Sequence, residues 1–270
     1  MVSHSGLITV MTRAARKAAP RLRRDFGEVE QLQVSKKGPG DFVSMADKRA
    51  EQSIVEELRN ARADWGMLLE ERGEVEGDPS KPRWIVDPLD GTTNFLHGIP
   101  HFAISIAVED RKPNGQAEIT HGLVYQPLTD ESFWAEKGRG SWLHDRRLRV
   151  SARRYLDEAV IGTGIPHLGR SDAPRWTKIY NAIAPEVAGI RRFGSAALDF
   201  AWVAAGRMDG FWEDDLDPWD SAAGLLLVKE AGGFVSDYRG QDRMVERREY
   251  LAANGDLHSR LHKLLAGALR

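Results

Sequence analysis

Trp84-Ile85-Val86-Asp87-Pro88-Leu89-Asp90-Gly91-Thr92-Thr93-Asn94-Phe95 compresses a strand, a turn and a helix start into one segment. Apolar Trp84 to Val86 runs into two carboxylates three positions apart, with a proline fixing the backbone between them and a glycine and two hydroxyls following. Asp87 and Asp90 then converge on one side of the turn. Carboxylates that close suppress each other's ionisation unless a cation neutralises them, and an all-oxygen donor set suits Mg²⁺. Gly91, Thr92 and Thr93 offer backbone N–H groups at a helix N-terminus, where a phosphate sits opposite such a metal. Taken alone, the pattern reads equally as a helix-capping turn with both aspartates solvated, because Asp, Pro and Gly dominate turns.

Further carboxylates lie on both sides of this segment. Upstream, Leu68-Leu69-Glu70-Glu71 places two acids directly after an apolar pair, which draws at least one of them to the edge of buried structure. Downstream, Pro218-Trp219-Asp220 opens a helix that runs through Leu225 to Val228 and stops at Gly232-Gly233. An Asp in a first helical turn is already favoured by the helix dipole, so Asp220 alone carries no metal argument.

Composition limits the chemistry. The chain has 270 residues and no cysteine, which excludes disulfides, thiolate metal sites and cysteine nucleophiles. With 38 basic and 40 acidic residues the net charge is -2, so nucleic acid is not the default partner. The apolar run Leu7 to Met11 is too short for a signal segment, and no run approaches a membrane span; a cytoplasmic enzyme is expected.

Helical spacing of Leu7, Ile8, Met11, Ala14, Ala15 and Ala18 predicts a helix over 5–26, bent or ended at Pro20. Residues 36–40 read as a loop, 47–62 as a second amphipathic helix, and 73–82 as an exposed loop. Strands at 84–86, 102–108, 119–125 and 131–135, joined by short turns, predict antiparallel pairing. From residue 160 strands (160–162, 190–193, 208–212, 234–236) alternate with helices (within 172–185, 196–205, 218–231, 257–269). The change of texture predicts two lobes, 1–150 and 151–270. His97 and His101 read as turn or core residues, and Asp214-Asp215 as an exposed acidic loop.

The ordered blocks together resemble the inositol monophosphatase family. They comprise Gly40 to Asp47, Glu70-Glu71, Trp84 to Phe95, Gly194-Ser195-Ala196-Ala197-Leu198-Asp199, Gly206 to Gly210, and Leu216 to Gly224 with Glu230 to Gly233. The resemblance implies an α/β fold of the layered αβαβα type, with an antiparallel N-terminal sheet and a βα-alternating C-terminal half. It also implies a cluster of two or three Mg²⁺ ions. On matching positions, Glu70, Asp87 and the Leu89 carbonyl would share one ion, and Asp87, Asp90 and Asp220 a second; Glu70 would orient a water of a third. Asp47 and Thr92 would take a proton from the attacking water. The amides of Gly91 and Thr92 would receive phosphate oxygens, and Ala196 and Glu213 would line the alcohol pocket. Lys36 matches a family lysine beside the site, and Glu71 is a further candidate. Two departures stand out: Leu69 replaces a glycine common before the paired glutamates, and residues 163–185 match no pattern.

The resemblance implies hydrolysis of inositol monophosphate or a related polyol phosphate such as glycerol 2-phosphate, with sensitivity to lithium. Histidinol-phosphate, fructose-bisphosphate and nucleotide 3′-phosphate hydrolysis are rivals on the same scaffold. Suppressor-type relatives associate with transcription machinery, and Arg13, Arg16, Lys17, Arg21, Arg23 and Arg24 offer a basic contact, although such residues normally form a solvated helix face. The family usually forms a homodimer, for which Trp134 and Trp142 are candidate interface groups.

Overall fold

The computed structural model of the chain describes residues 4–28, 34–38, 41–111, 117–166 and 172–270, with backbone alone for 34–38 and 41–44. Helix α1 (Gly6–Gly27) starts at Ser5, whose side chain accepts the Ile8 N–H. It runs unbroken through Pro20. The proline lies on the exposed side, while Ala18, Ala19 and Leu22 on the opposite side stay anchored in the core, so the lost hydrogen bond falls where water replaces it.

The segment after α1 differs from the predicted loop. Residues 36–38 belong to β1 (Val34–Gly38), which pairs antiparallel with β2 (Asp41–Ser44) and leads into α2 (Met45–Ala61). Next come β3 (Gly66–Leu69) and β4 (Gly73–Val75); β4 occupies the start of the stretch expected to be loop, pairing with β3 as a hairpin. β5 (Arg83–Asp90), the short α3 (Thr92–Leu96), β6 (Ala103–Arg111), β7 (Ala117–Gln126), β8 (Glu131–Glu136), β9 (Gly140–Leu143) and β10 (Arg146–Arg147) follow. These strands form an eight-stranded sheet in the order β10-β9-β8-β7-β6-β5-β3-β4. Every pair is antiparallel except β3 with β5, and that exception positions the site.

A second sheet of five strands takes the order β12-β11-β13-β15-β14. It is built from β11 (Val160–Thr163), β12 (Gly189–Arg191), β13 (Gly210–Asp214), β14 (Phe234–Ser236) and β15 (Glu249–Ala253). Helices α4 (Ala173–Ile183), α5 (Ala196–Ala204), α6 (Pro218–Glu230), α7 (Met244–Arg247) and α8 (Gly255–Ala268) complete this half. β11 pairs in parallel with β12 and β13, as βα alternation requires, whereas β15 runs antiparallel to both its neighbours.

Three cores stack the layers. α1 and α2 share Ile8, Met11, Ile54 and Leu58 with Trp84, Val86, Ile104 and Leu123 on one face of the large sheet. On its other face Ile85, Ala107, Val124 and Phe133 meet α5 and α6, which also cover Phe211, Tyr250 and Ala252 of the small sheet. α4 and α8 close the far side with Ile179, Ile183, Leu257 and Leu261 on Trp212 and Leu251. The result is the αβαβα sandwich. α6 is apolar all round because sheets lie on both sides of it.

Two surface expectations change. Trp134 is only 2% exposed and donates its indole N–H to the His144 carbonyl at 2.9 Å, so it belongs to the core of this chain and offers no free interface. Asp214 is buried on β13 with Arg175 at 3.7 Å, and Asp215 pairs with Arg248 at 3.1 Å; strand geometry and ion pairing replace the expected exposed loop.

Helices α5 and α6 approach closely at Gly224, where a Cβ would lie 2.5 Å from Cβ of Phe200. Gly224→Ala is therefore expected to cost about 1–3 kcal/mol in overpacking, more than the ~1 kcal/mol that alanine gains in helix propensity. Urea unfolding checks this; an unchanged or raised midpoint would mean looser packing between the helices.

Candidate metal centre and active site

The first requirement is that Asp87 and Asp90 face the same way. In a regular strand, residues three apart point to opposite faces. β5 breaks that rule: Asp87 pairs with Ser105 and Asp90 with Ala103, so three steps on β5 match two on β6. This bulge inserts one residue and restores both aspartates to one face. Pro88 occupies it without losing a ladder donor, and Leu89 points into the α1/α2 core with Trp84 and Val86. The Leu89 N–H donates to Asp87 Oδ1 at 2.8 Å, tightening the turn. The strand thus extends through both aspartates, beyond the Val86 end predicted from hydropathy.

The parallel pairing of β3 with β5 brings in Glu70. Leu69 lies opposite Val86, and the Glu70 N–H donates to the Val86 carbonyl at 3.2 Å, so Glu70 falls beside Asp87 and their side chains hydrogen-bond. Asp220 arrives from the other layer. Its carboxylate accepts the Asp217 N–H at 2.8 Å in the first turn of α6, behind Pro218. Ser105 Oγ, opposite Asp87 in the sheet, donates to the Trp219 carbonyl at 3.0 Å and docks that helix end. Helix capping and cluster membership therefore hold for Asp220 together.

Carboxylate oxygens of Asp87, Asp90 and Asp220 lie within 4.8 Å of one another, and all three residues are buried. Burial first, then Glu70, Asp90 and Asp220, raise the Asp87 pKa well above the ordinary carboxylate range. Burial also raises Asp90 to about 6, against hydrogen bonds from Ser195 and Ala197 that lower it. The Ser195 hydroxyl and the Ala197 N–H, at 2.8 Å, donate to Asp90 Oδ2. Crowded, buried and all-oxygen, these donors fit a hard divalent cation, which removes the repulsion that protonation otherwise relieves. On β13, half-buried Glu213 is pushed up to about 8 by burial, then by Asp220 and Asp90, with Arg192 opposing.

The other predicted residues lie at the ends of α2, α3, α5 and β3 and on β1. Asp47 is buried in the first turn of α2. Thr92 Oγ1 donates to the Leu89 carbonyl at 3.0 Å; a hydroxyl has one proton, so this bond and donation to Asp47 are alternatives. Gly91 precedes α3 with φ of 95°, a left-handed conformation that glycine adopts without strain. Ala196 opens α5 beside the donors to Asp90. Glu71 is half-buried in the turn after β3, and its N–H donates to Glu51 at 2.8 Å. The Lys36 backbone pairs opposite Phe42, while its side chain lies outside the described residues. His101 is a core residue between Phe193 and Trp202, its pKa lowered to about 4 by burial, and His97 follows α3 in a turn.

Three supporting residues had no assigned role in the sequence reading: Ser195, Ser105 and Asn94. Buried Asn94 donates to the His101 carbonyl at 2.8 Å and the Phe193 carbonyl at 2.7 Å, tying the loop after α3 to the approach to α5. Its signal was a lone amide amid Thr93 and Phe95 in the block that decided the fold. Ser105 and Ser195 are single hydroxyls in apolar runs.

This sandwich, with an acid cluster able to hold a metal ion where its two sheets meet an inner helix layer, is that of a phosphatase. The chain belongs to the inositol monophosphatase family, whose pattern it matches over residues 4–270. It is 55% identical to the inositol-1-monophosphatase of Mesorhizobium japonicum, over 94% of this chain and 93% of that protein. It is 42% identical to the Nus factor SuhB of Escherichia coli strain K12, over 92% of this chain and 91% of that protein. Among solved structures, the extragenic suppressor protein SuhB of Bartonella henselae superposes with a TM-score of 0.92 at 52% identity, covering 97% of this chain and 98% of that one.

The electrostatics set a stability test. Because the folded pKa of Asp90 stands above its ordinary 3.8, at about 6, its contribution to metal-free stability is present below pH 3.8 and lost as pH rises through about 6. Mn²⁺ is expected to raise the melting temperature clearly at pH 7.5 and little at pH 4.5. Asp87→Asn keeps an acceptor for Leu89 and a donor for Glu70 while removing one charge. It should raise the metal-free melting temperature at pH 7.5 and abolish the response to Mn²⁺; a preserved response would place the ion elsewhere.

Proposed function

We propose that this chain is a Mg²⁺-dependent phosphomonoesterase that hydrolyses inositol monophosphate and similar polyol phosphates, using two or three ions. The observation that carries this reading is the meeting of Asp87, Asp90 and Asp220 in one buried cluster, with half-buried Glu70 hydrogen-bonded to Asp87. The names of the relatives at 51–55% identity support the substrate class. In this reading residues 1–150 contribute most of the ligands, and residues 151–270 contribute Asp220 and the substrate rim.

When bound, the ions neutralise the ester's negative charge and make water acidic enough to attack phosphorus. The chain supplies the rest. Glu70, Asp87, the Leu89 carbonyl, Asp90 and Asp220 would hold the ions. Thr92 Oγ1 takes the proton of the attacking water while passing its own to Asp47, for which the hydroxyl turns from the Leu89 carbonyl. The N–H groups of Gly91 and Thr92 face the phosphate oxygens, on which charge spreads in the transition state. Ala196 and Glu213 contact the departing alcohol; the Glu213 carboxyl exchanges hydrogen bonds with polyol hydroxyls, donating when protonated and accepting when ionised. No protein nucleophile takes part.

A second reading, an interaction with transcription machinery, is favoured by relatives named Nus factor SuhB at 42–43% identity. The basic side of α1 is already engaged by the chain's own groups: Arg13 and Lys17 with Glu57, Arg16 with Asp130, and Arg23 with the Pro127 carbonyl. Among the described residues no helix is long and apolar enough to cross a membrane, and we place the enzyme in the cytoplasm, as a homodimer.

Purified protein with Mg²⁺ is expected to release phosphate from inositol 1-phosphate faster than from histidinol phosphate, fructose 1,6-bisphosphate or a nucleotide 3′-phosphate, and to be inhibited by lithium. Asp220→Asn should lower turnover roughly 10²–10⁴-fold, since the ions provide several kcal/mol of transition-state stabilisation. Release from none of the esters would end the enzymatic reading, and a preference for a rival ester would reassign the substrate. For the second reading, RNA polymerase should co-purify with the protein and with Asp90→Asn, but not after charge reversal at Arg16 and Arg24.

A further inference from the structure

Glu51 is 0% exposed, an acid fully inside the protein, and lies one helical turn after Asp47 on the inner side of α2. Nothing in the proposed chemistry uses it. Its carboxylate accepts the Glu71 N–H at 2.8 Å and a backbone hydrogen bond from Arg72, and the Arg72 guanidinium stands 3.1 Å away. Burial raises its pKa against these lowering contacts. A carboxylate kept at such a cost is held for what it grips, and it grips the turn that carries Glu70.

The Glu70 backbone is fixed from both sides. Its own N–H continues the β3 ladder onto Val86 of β5, and the next N–H along the chain is captured by Glu51. Without Glu51 the turn is held only by the β3–β4 hairpin and the Glu70–Val86 bond, and the Glu71 and Arg72 N–H groups lose their acceptor. Asp47 sits on the same rigid helix, so one element sets the height of both acids relative to Asp87.

We propose that Glu51 is a positioning residue for the metal centre: as the α2 bracket of the 70–72 turn, it presents Glu70 to the divalent ion shared with Asp87. The inference rests on the metal reading given above. Second-layer partners of this kind are worth roughly 10–100-fold in metal affinity.

The test measures Mn²⁺ binding to the free protein by electron paramagnetic resonance, together with the Mg²⁺ concentration for half-maximal activity. Glu51→Ala is expected to weaken Mn²⁺ binding and raise the Mg²⁺ requirement roughly 10–100-fold. Glu51→Gln, which keeps an acceptor for Glu71, should recover most of that loss. Ile54→Val, on the same helix and in the core, controls for simple destabilisation; it should lower the melting temperature without moving either metal reading. Glu51→Ala binding Mn²⁺ as tightly as the parent overturns the proposal. If Glu51→Ala does not fold, Arg72→Ala decides: a raised Mg²⁺ requirement supports the bracket and an unchanged one overturns it. A parent protein that binds no Mn²⁺ rejects the metal reading itself.

Discussion

Mutual repulsion among buried carboxylates governs how this molecule is built. Asp87, Asp90 and Asp220 converge where water is largely excluded, with half-buried Glu70 against Asp87, and each adds to the cost of ionising Asp87. Folding has to impose that arrangement through packing and backbone pairing, because the acids themselves resist it. A divalent cation held there would turn the same crowding into affinity.

The scaffold meets this demand with element ends. Glu70 follows the last residue of β3, Asp87 and Asp90 close β5, Asp220 opens α6, and the start of α5 donates to Asp90. Each is locked by a backbone bond: Glu70 to Val86, Asp87 to Leu89, Asp90 to Ala197, Asp220 to Asp217. The large sheet fixes three of the acids, and the inner helix layer brings the fourth across. Strand and helix cores supply the rigidity, so small changes at Ser105 or Asn94 act on geometry without touching the cluster.

Much of this was legible in the sequence. Periodicity located α1, α2, α5, α6 and α8, and strand composition located β6 to β8, because their buried faces are simple repeats of apolar residues. Motif blocks brought the acids together before any contact was known. Features created by tertiary pairing were not legible. β15 reads as an unremarkable Glu-Tyr-Leu-Ala-Ala run, yet it is an interior strand of its sheet, paired on both sides. β3 is four residues long, and its parallel partnership with β5 depends on residues far along the chain. Pro20 reads as a helix breaker, because composition does not say which side faces water. Trp134 and Asp214 were assigned to the surface for the same reason: exposure is decided by what packs above a residue. Ser195 is a common small hydroxyl until Asp90 lies beside it.

The extra residue in β5 has a consequence for how such a lineage can change. Trp84, Ile85 and Val86 reach the hydrophobic layers ahead of the irregularity, so shortening the chain by one position at 88 turns Asp90 to the opposite side while those three keep their places and Leu89 loses its seat in the α1/α2 core. A single deletion there can thus dismantle the acid cluster while most of the fold is inherited, giving this architecture a short route from catalyst to a relative without hydrolytic chemistry.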